Sequence, residues 1–122
     1  MKKYSKKLLK GKTKITPKIW GHEEIIVNRE YCGKILTVNS GCCCSLHCHP
    51  VKNETFFVLR GRGTIEVADE KLEIVPGNVI DIPSNTYHRF SSIHGMVLIE
   101  FSTHHEENDV VRREGSYAKP KR

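Results

Sequence analysis

Apolar and polar positions along the chain fall into short runs of four to seven residues. These are EEIIVN (23–28), KILTV (34–38), CSLHCH (44–49), TFFVLRG (55–61), TIEVA (64–68), LEIV (72–75), VIDIP (79–83), YHRFSS (87–92) and MVLIEFS (96–102). Several alternate with a period of two, and most are rich in β-branched or aromatic residues, as half-buried strands are. Turn formers separate them, among them Asn39-Ser40-Gly41, Gly61-Arg62-Gly63, Pro76-Gly77-Asn78, Pro83-Ser84-Asn85 and His94-Gly95. Short strands at this spacing predict an all-β sandwich or barrel. TIEVADEKLEIV reads as a hairpin turning at Asp69-Glu70. Helix is expected only at the ends. KKYSKKLLK is too short to be stable alone, and HHEENDVVRREG has room for one helical turn.

At 122 residues the chain is expected to form one domain. Its charge is uneven. Residues 1–14 carry seven lysines and no acid, and Lys119, Lys121 and Arg122 close the chain. Setting those ten aside leaves ten basic residues against fourteen acidic ones, so the net charge of +6 belongs to the ends. The organisation expected is a basic tail at 1–14, a domain at 15–118 and a basic tail at 119–122. The acidic body, without an aromatic-rich basic patch, argues against nucleic acid as a partner. No apolar run approaches the ~20 residues of a membrane span, and the basic start lacks a secretory apolar region. A cytoplasmic, reducing setting is therefore expected. The five cysteines fit it: four crowd into residues 42–48, neighbours on a strand point apart, and no C-x-x-C occurs.

The chemistry concentrates in GCCCSLHCHPVKNETFFVLRG, residues 41–61. His47 and His49, two apart on a strand, share a face. Glu54 follows across a short connection, and His88 opens a later strand after a proline turn. Imidazole and carboxylate donors of this kind suit a divalent transition metal, whether Zn, Mn, Fe, Co or Ni. By strand parity Cys43 shares the face of His47 and His49, while Cys42, Cys44 and Cys48 face away.

The spacing Gly41, His47-x-His49, Glu54, Gly61 matches the first motif of the cupin superfamily at each fixed position. Gly77, Pro83 and His88 resemble the second motif, with Asn85 where that motif has its middle glycine and Ser92 where it ends in asparagine. The resemblance covers roughly residues 19–103. It implies a double-stranded β-helix, the cupin jelly-roll barrel, with His47, His49, Glu54 and His88 holding one divalent metal. KIWGHEEIIVN (18–28) and STHHEENDVVRREGSY (102–117) are similar to the outer segments of type II phosphomannose isomerases and related sugar isomerase-like cupins. That resemblance implies an aldose–ketose isomerase acting on a sugar or sugar phosphate such as mannose 6-phosphate. Glu100 is then the candidate base and Arg112 the candidate clamp on a phosphate or hydroxyl. Lys34, Cys43, His104 and Asp109 are the candidates for contact with substrate. A non-catalytic cupin binding a small polar ligand, and a metal-dependent dioxygenase, are the competing readings. A homodimer through an edge strand within residues 15–28 is a further expectation.

Overall fold

The computed structural model describes residues 13–118. In chain order the strands are β1 (Lys14–Lys18), β2 (Gly21–Asn28), β3 (Tyr31–Val38), β4 (Cys42–Cys43), β5 (Leu46–Cys48), β6 (Glu54–Gly61), β7 (Gly63–Val67), β8 (Glu70–Ile74), β9 (Val79–Ile82), β10 (His88–Ser92), β11 (Met96–Thr103), β12 (Val111–Glu114) and β13 (Tyr117–Ala118). No helix occurs among the described residues, so none there is long and apolar enough to cross a membrane. Of the two expected tails only Thr13 and Lys14 lie within the described residues, and Lys14 already opens β1.

One sheet has the order β1-β2-β3-β11-β6-β9. In the other, β10 pairs with β7 on one side, and β7 pairs with β8. On its other side β10 pairs with β4 and then β5, two pieces of one interrupted strand. The far edges of those pieces pair with β13 and β12. All pairings are antiparallel, giving a jelly roll of two facing sheets.

Two expectations change here. HHEENDVVRREG contains no helical turn; it is a loop running into β12. Every residue of β12 is exposed, so this strand is held by backbone pairing and leaves no alternation to read. CSLHCH is not one strand, because pairing breaks at Cys44-Ser45.

The inward positions change character along each strand. β3 presents Cys32, Lys34, Leu36 and Val38, and β11 presents Met96, Leu98 and Glu100. β6 presents Glu54, Phe56 and Val58, and β10 presents His88, Phe90 and Ser92. Antiparallel pairing brings the charged ends together. One half of the interior is therefore a dry core of Leu36, Val38, Val58, Ile65, Ile82, Met96 and Leu98. Burial of each such side chain contributes about 1.5–3 kcal/mol. Trp20 closes this half from the β1–β2 turn, meeting the Phe90 ring edge-on at 5.2 Å.

Gly61 ends β6 at φ +72°, in the left-handed region. A Cβ there would sit 2.3 Å from the Gly95 carbonyl oxygen and 2.9 Å from Met96 Cα, both backbone atoms that cannot withdraw. Gly61→Ala is expected to destabilise the fold by at least about 2 kcal/mol. A lower urea midpoint at unchanged m-value would show it. Asn85, standing where the second motif has glycine, adopts φ +60°, which asparagine tolerates.

Candidate metal centre and its cavity

The charged half of the interior is built around three imidazoles. His47 lies on β5 directly opposite His88, the first residue of β10. His49 follows β5, and Glu54 opens β6. One ring nitrogen from each of His47, His49 and His88 lies within 4.8 Å of the others. Glu54 Oε1 stands 3.3 Å from His49 Nε2 and 2.9 Å from His88 Nε2.

The backbone fixes which nitrogen faces the centre. His47 Nδ1 is 2.8 Å from the Ser45 carbonyl oxygen, His88 Nδ1 is 2.9 Å from that of Thr86, and His49 Nδ1 is 2.8 Å from that of Asp109. A carbonyl only accepts, so each Nδ1 carries the proton and donates it. Each Nε2 is left with a bare lone pair turned toward the centre.

That arrangement asks for a cation. His88 Nε2 and Glu54 Oε1 are buried, 2.9 Å apart, and neither has a hydrogen-bonding partner. With the His88 ring neutral the two atoms are both acceptors and repel, and a metal ion among them would satisfy both. Protons are poor substitutes on two of the rings. Burial lowers the pKa of His47 to about 3. Burial also lowers that of His49. Burial alone would raise the Glu54 pKa, but the Lys52 ammonium 3.5 Å away favours the ionised form, and the pKa is lowered. Three neutral imidazoles and one carboxylate fit a divalent transition metal.

Beside this centre is a cavity of about 470 Å³ whose wall includes Trp20, Lys34, Lys52, Glu100 and Arg112. Lys52 was not anticipated; in the loop PVKN it reads as a solvated lysine. It is 3% exposed, and its ammonium lies 3.2 Å from Glu100 Oε2, 3.5 Å from Glu54 Oε2 and 3.2 Å from His105 Nδ1. Burial opposes its charge, but Glu100 and Glu54 prevail and raise its pKa. The buried Glu100 has its carboxyl pKa raised, by burial first and then by the charge of Glu54. His105 is held low by burial and the nearby lysines, so its neutral Nδ1 accepts from Lys52.

Lys34, also inside, pairs with Glu23 at 2.9 Å. Burial would raise the Glu23 pKa, but Lys34 and Lys18 outweigh it and hold it below the ordinary value of 4.5. Removing one member of a buried pair strands the other charge. Lys34→Ala should therefore cost about 3–5 kcal/mol. Because the Glu23 pKa is depressed, the pair's contribution is present above pH 4.5 and is lost as pH falls through the lower folded value. Denaturation at pH 7 and in acid should show wild type and variant converging as the pH drops.

Of the remaining four candidates, Arg112 alone reaches the cavity. Arg112 is exposed at the cavity mouth, and no carboxylate among the described residues lies within ion-pair distance of it. Cys43 does not face the cavity: the break at Cys44-Ser45 reverses the parity, and Cys44 lines the wall instead. Its thiol is inert, donating to the Ser45 carbonyl and pushed far up by burial. His104 is exposed outside the cavity, against the Arg29 carbonyl and Glu106, and its neighbour His105 takes the inward place. Asp109 does not line the cavity. Its carboxylate accepts from the backbone N–H groups of Val51 and Lys52, at 2.9 Å each.

Residues 34–101 match the family described as Cupin domain. Over 53 residues the chain is 36% identical to an uncharacterized protein of Methanocaldococcus jannaschii, covering 43% of this chain and 42% of that one. Its structure is similar to oxalate decarboxylase from Bacillus subtilis, with a TM-score of 0.73 at 15% identity over 83% of this chain and 30% of the other. It is also similar to a putative sugar phosphate isomerase from Acidithiobacillus ferrooxidans, with a TM-score of 0.58 at 21% identity over 63% and 52% of the two chains. The chain thus spans between about a third and a half of each of these proteins. Two solved relatives with such different names carry the fold and leave the reaction to the site itself.

Proposed function

Because this chain belongs to the cupin family, we propose that it holds one divalent transition metal through His47, His49, His88 and Glu54 and interconverts an aldose and a ketose. The substrate class we assign is a sugar or sugar phosphate. The observation that carries the reading is the Glu100–Lys52 pair, buried in the cavity wall next to the imidazoles. Moving a proton between adjacent carbons needs a base within reach of both and stabilisation of the oxygens that become negative. A bound metal supplies the second as a Lewis acid.

Glu100 supplies the first. A carboxyl with a raised pKa is a stronger base when ionised, and Lys52 holds it in place from a distance of 3.2 Å. Lys34 and Glu23 offer fixed donors and acceptors to hydroxyl groups, and Trp20 offers an apolar wall. Arg112 at the mouth carries forked guanidinium donors suited to a phosphate. The similarity to a putative sugar phosphate isomerase agrees with this at the level of fold.

The test is proton exchange. Protein loaded in turn with Mn, Fe, Co, Ni or Zn is incubated in D2O with pentoses, hexoses and their phosphates, and followed by NMR. Isomerisation puts deuterium on C1 of the ketose as it appears, and on C2 of the aldose when the enediolate returns. Thermal stabilisation by a sugar without exchange identifies a binding module; oxygen uptake by the iron form identifies an oxygenase. Either result ends the isomerase reading.

A further inference from the structure

Asp109 makes three hydrogen bonds between the C-terminal stretch 104–118 and residues 49–52, one of them to the proposed metal ligand His49. Its Oδ1 accepts from Val51 N–H and its Oδ2 from Lys52 N–H, both at 2.9 Å. Its carbonyl oxygen accepts from His49 Nδ1–H at 2.8 Å. All three donors belong to the turn between His49 and Glu54. Elsewhere this stretch is held mainly by exposed polar contacts, His105 with Asn28, His104 with the Arg29 carbonyl and Glu114 with Arg89. Every residue of β12 and β13 is exposed, and the two strands hold on by pairing Val111 with Cys48, Arg112 with His47 and Tyr117 with Cys43. A segment with so little buried apolar surface opens locally at low free-energy cost.

We propose that Asp109 is a positioning residue that couples metal binding to docking of residues 104–118. It sets the His49 ring for the ion and holds the turn that carries the ring. The stretch it anchors brings His105, Val110, Arg112 and Ser116 to the cavity wall. An ion that fixes His49 favours the docked stretch, and the docked stretch favours the ion by the same factor, because such coupling is reciprocal. Metal loading then completes the substrate cavity as well as the metal centre. This inference draws on the metal centre and not on isomerisation, so a protein that isomerises nothing leaves it standing.

Asp109→Asn is the sharp variant. It keeps the size and the main-chain carbonyl, but replaces one acceptor oxygen with an amide NH2 that faces a backbone N–H, donor against donor. Zinc binding by titration calorimetry is expected to weaken about 10–100-fold, as for other residues that orient a ligand. In hydrogen-exchange mass spectrometry, zinc is expected to slow exchange of the 110–118 amides in the wild type by at least about tenfold. The amides of β8, an edge strand that pairs only with β7 among the described residues, open locally away from the ion and serve as the unchanged control. In Asp109→Asn the zinc effect on 110–118 should shrink by the factor lost in affinity. A variant that melts earlier yet binds zinc as tightly as wild type overturns the proposal, since Asp109 is then only structural. So does a wild type whose 110–118 amides ignore zinc, or one that binds none. If the variant does not fold, the wild-type exchange comparison decides alone.

Discussion

Protein carrying His88→Ala is expected to purify without metal, where the wild type holds one divalent ion per chain. The ring supplies one of three nitrogens converging within 4.8 Å, and its Nε2 stands 2.9 Å from the buried Glu54 Oε1. Without it, two imidazoles and a carboxylate remain, with a gap where the third donor stood. Stability reports the same event. An ion present at a thousand times its Kd stabilises the wild type by about 4 kcal/mol, a rise of roughly 15 °C or more in Tm for a domain of this size. The variant should show no metal-dependent rise. Elemental analysis and a melt with and without added metal are sufficient. A His88→Ala protein that binds as tightly as wild type would remove His88 from the centre and take the proposed site with it.

The second large effect concerns Glu100. Glu100→Gln keeps the shape and leaves Lys52 paired with Glu54, so metal content should be unchanged. Turnover should fall by about 10²–10⁴, the usual worth of a positioned general base. The pH profile gives an independent reading. A base acts when ionised, and burial together with the Glu54 charge raises the pKa of Glu100. The acid limb of kcat/KM is thus expected above the ordinary carboxylate value of 4.5, with activity rising as pH climbs through it. Glu100→Gln should lose that limb along with the rate. Full activity in this variant would show that another group moves the proton.

Where side chains alternate against a core, the sequence was legible. β3, β6, β10 and β11 each place every second residue inside, and the runs KILTV, TFFVLRG, YHRFSS and MVLIEFS announce it. The grouping of His47, His49, Glu54 and His88 was legible from spacing, because three of the four lie within eight residues and the fourth follows a turn. What was hidden has a common cause. β12 and β13 pair through their backbones with all side chains in solvent, so no periodicity marks them. The parity that pointed Cys43 inward assumed an unbroken strand, and the break at Cys44-Ser45 shifts the face by one residue. His104 and His105 lie in a loop, where no period says which turns in. Lys52 was illegible because its partners Glu100 and His105 lie 48 and 53 residues away and only the fold brings them to it.

The carbonyls that orient the rings differ in how far they travel. His47 and His88 each bond the carbonyl two residues before them, so their own strands preset them. His49 depends on a carbonyl 60 residues further along the chain. During synthesis at about 5–20 residues per second, those 60 residues take roughly 3–12 seconds to appear. Until then the nascent chain offers an ion donors whose third ring turns freely. Orientation of the His49 ring thus waits until the polypeptide has grown past Asp109.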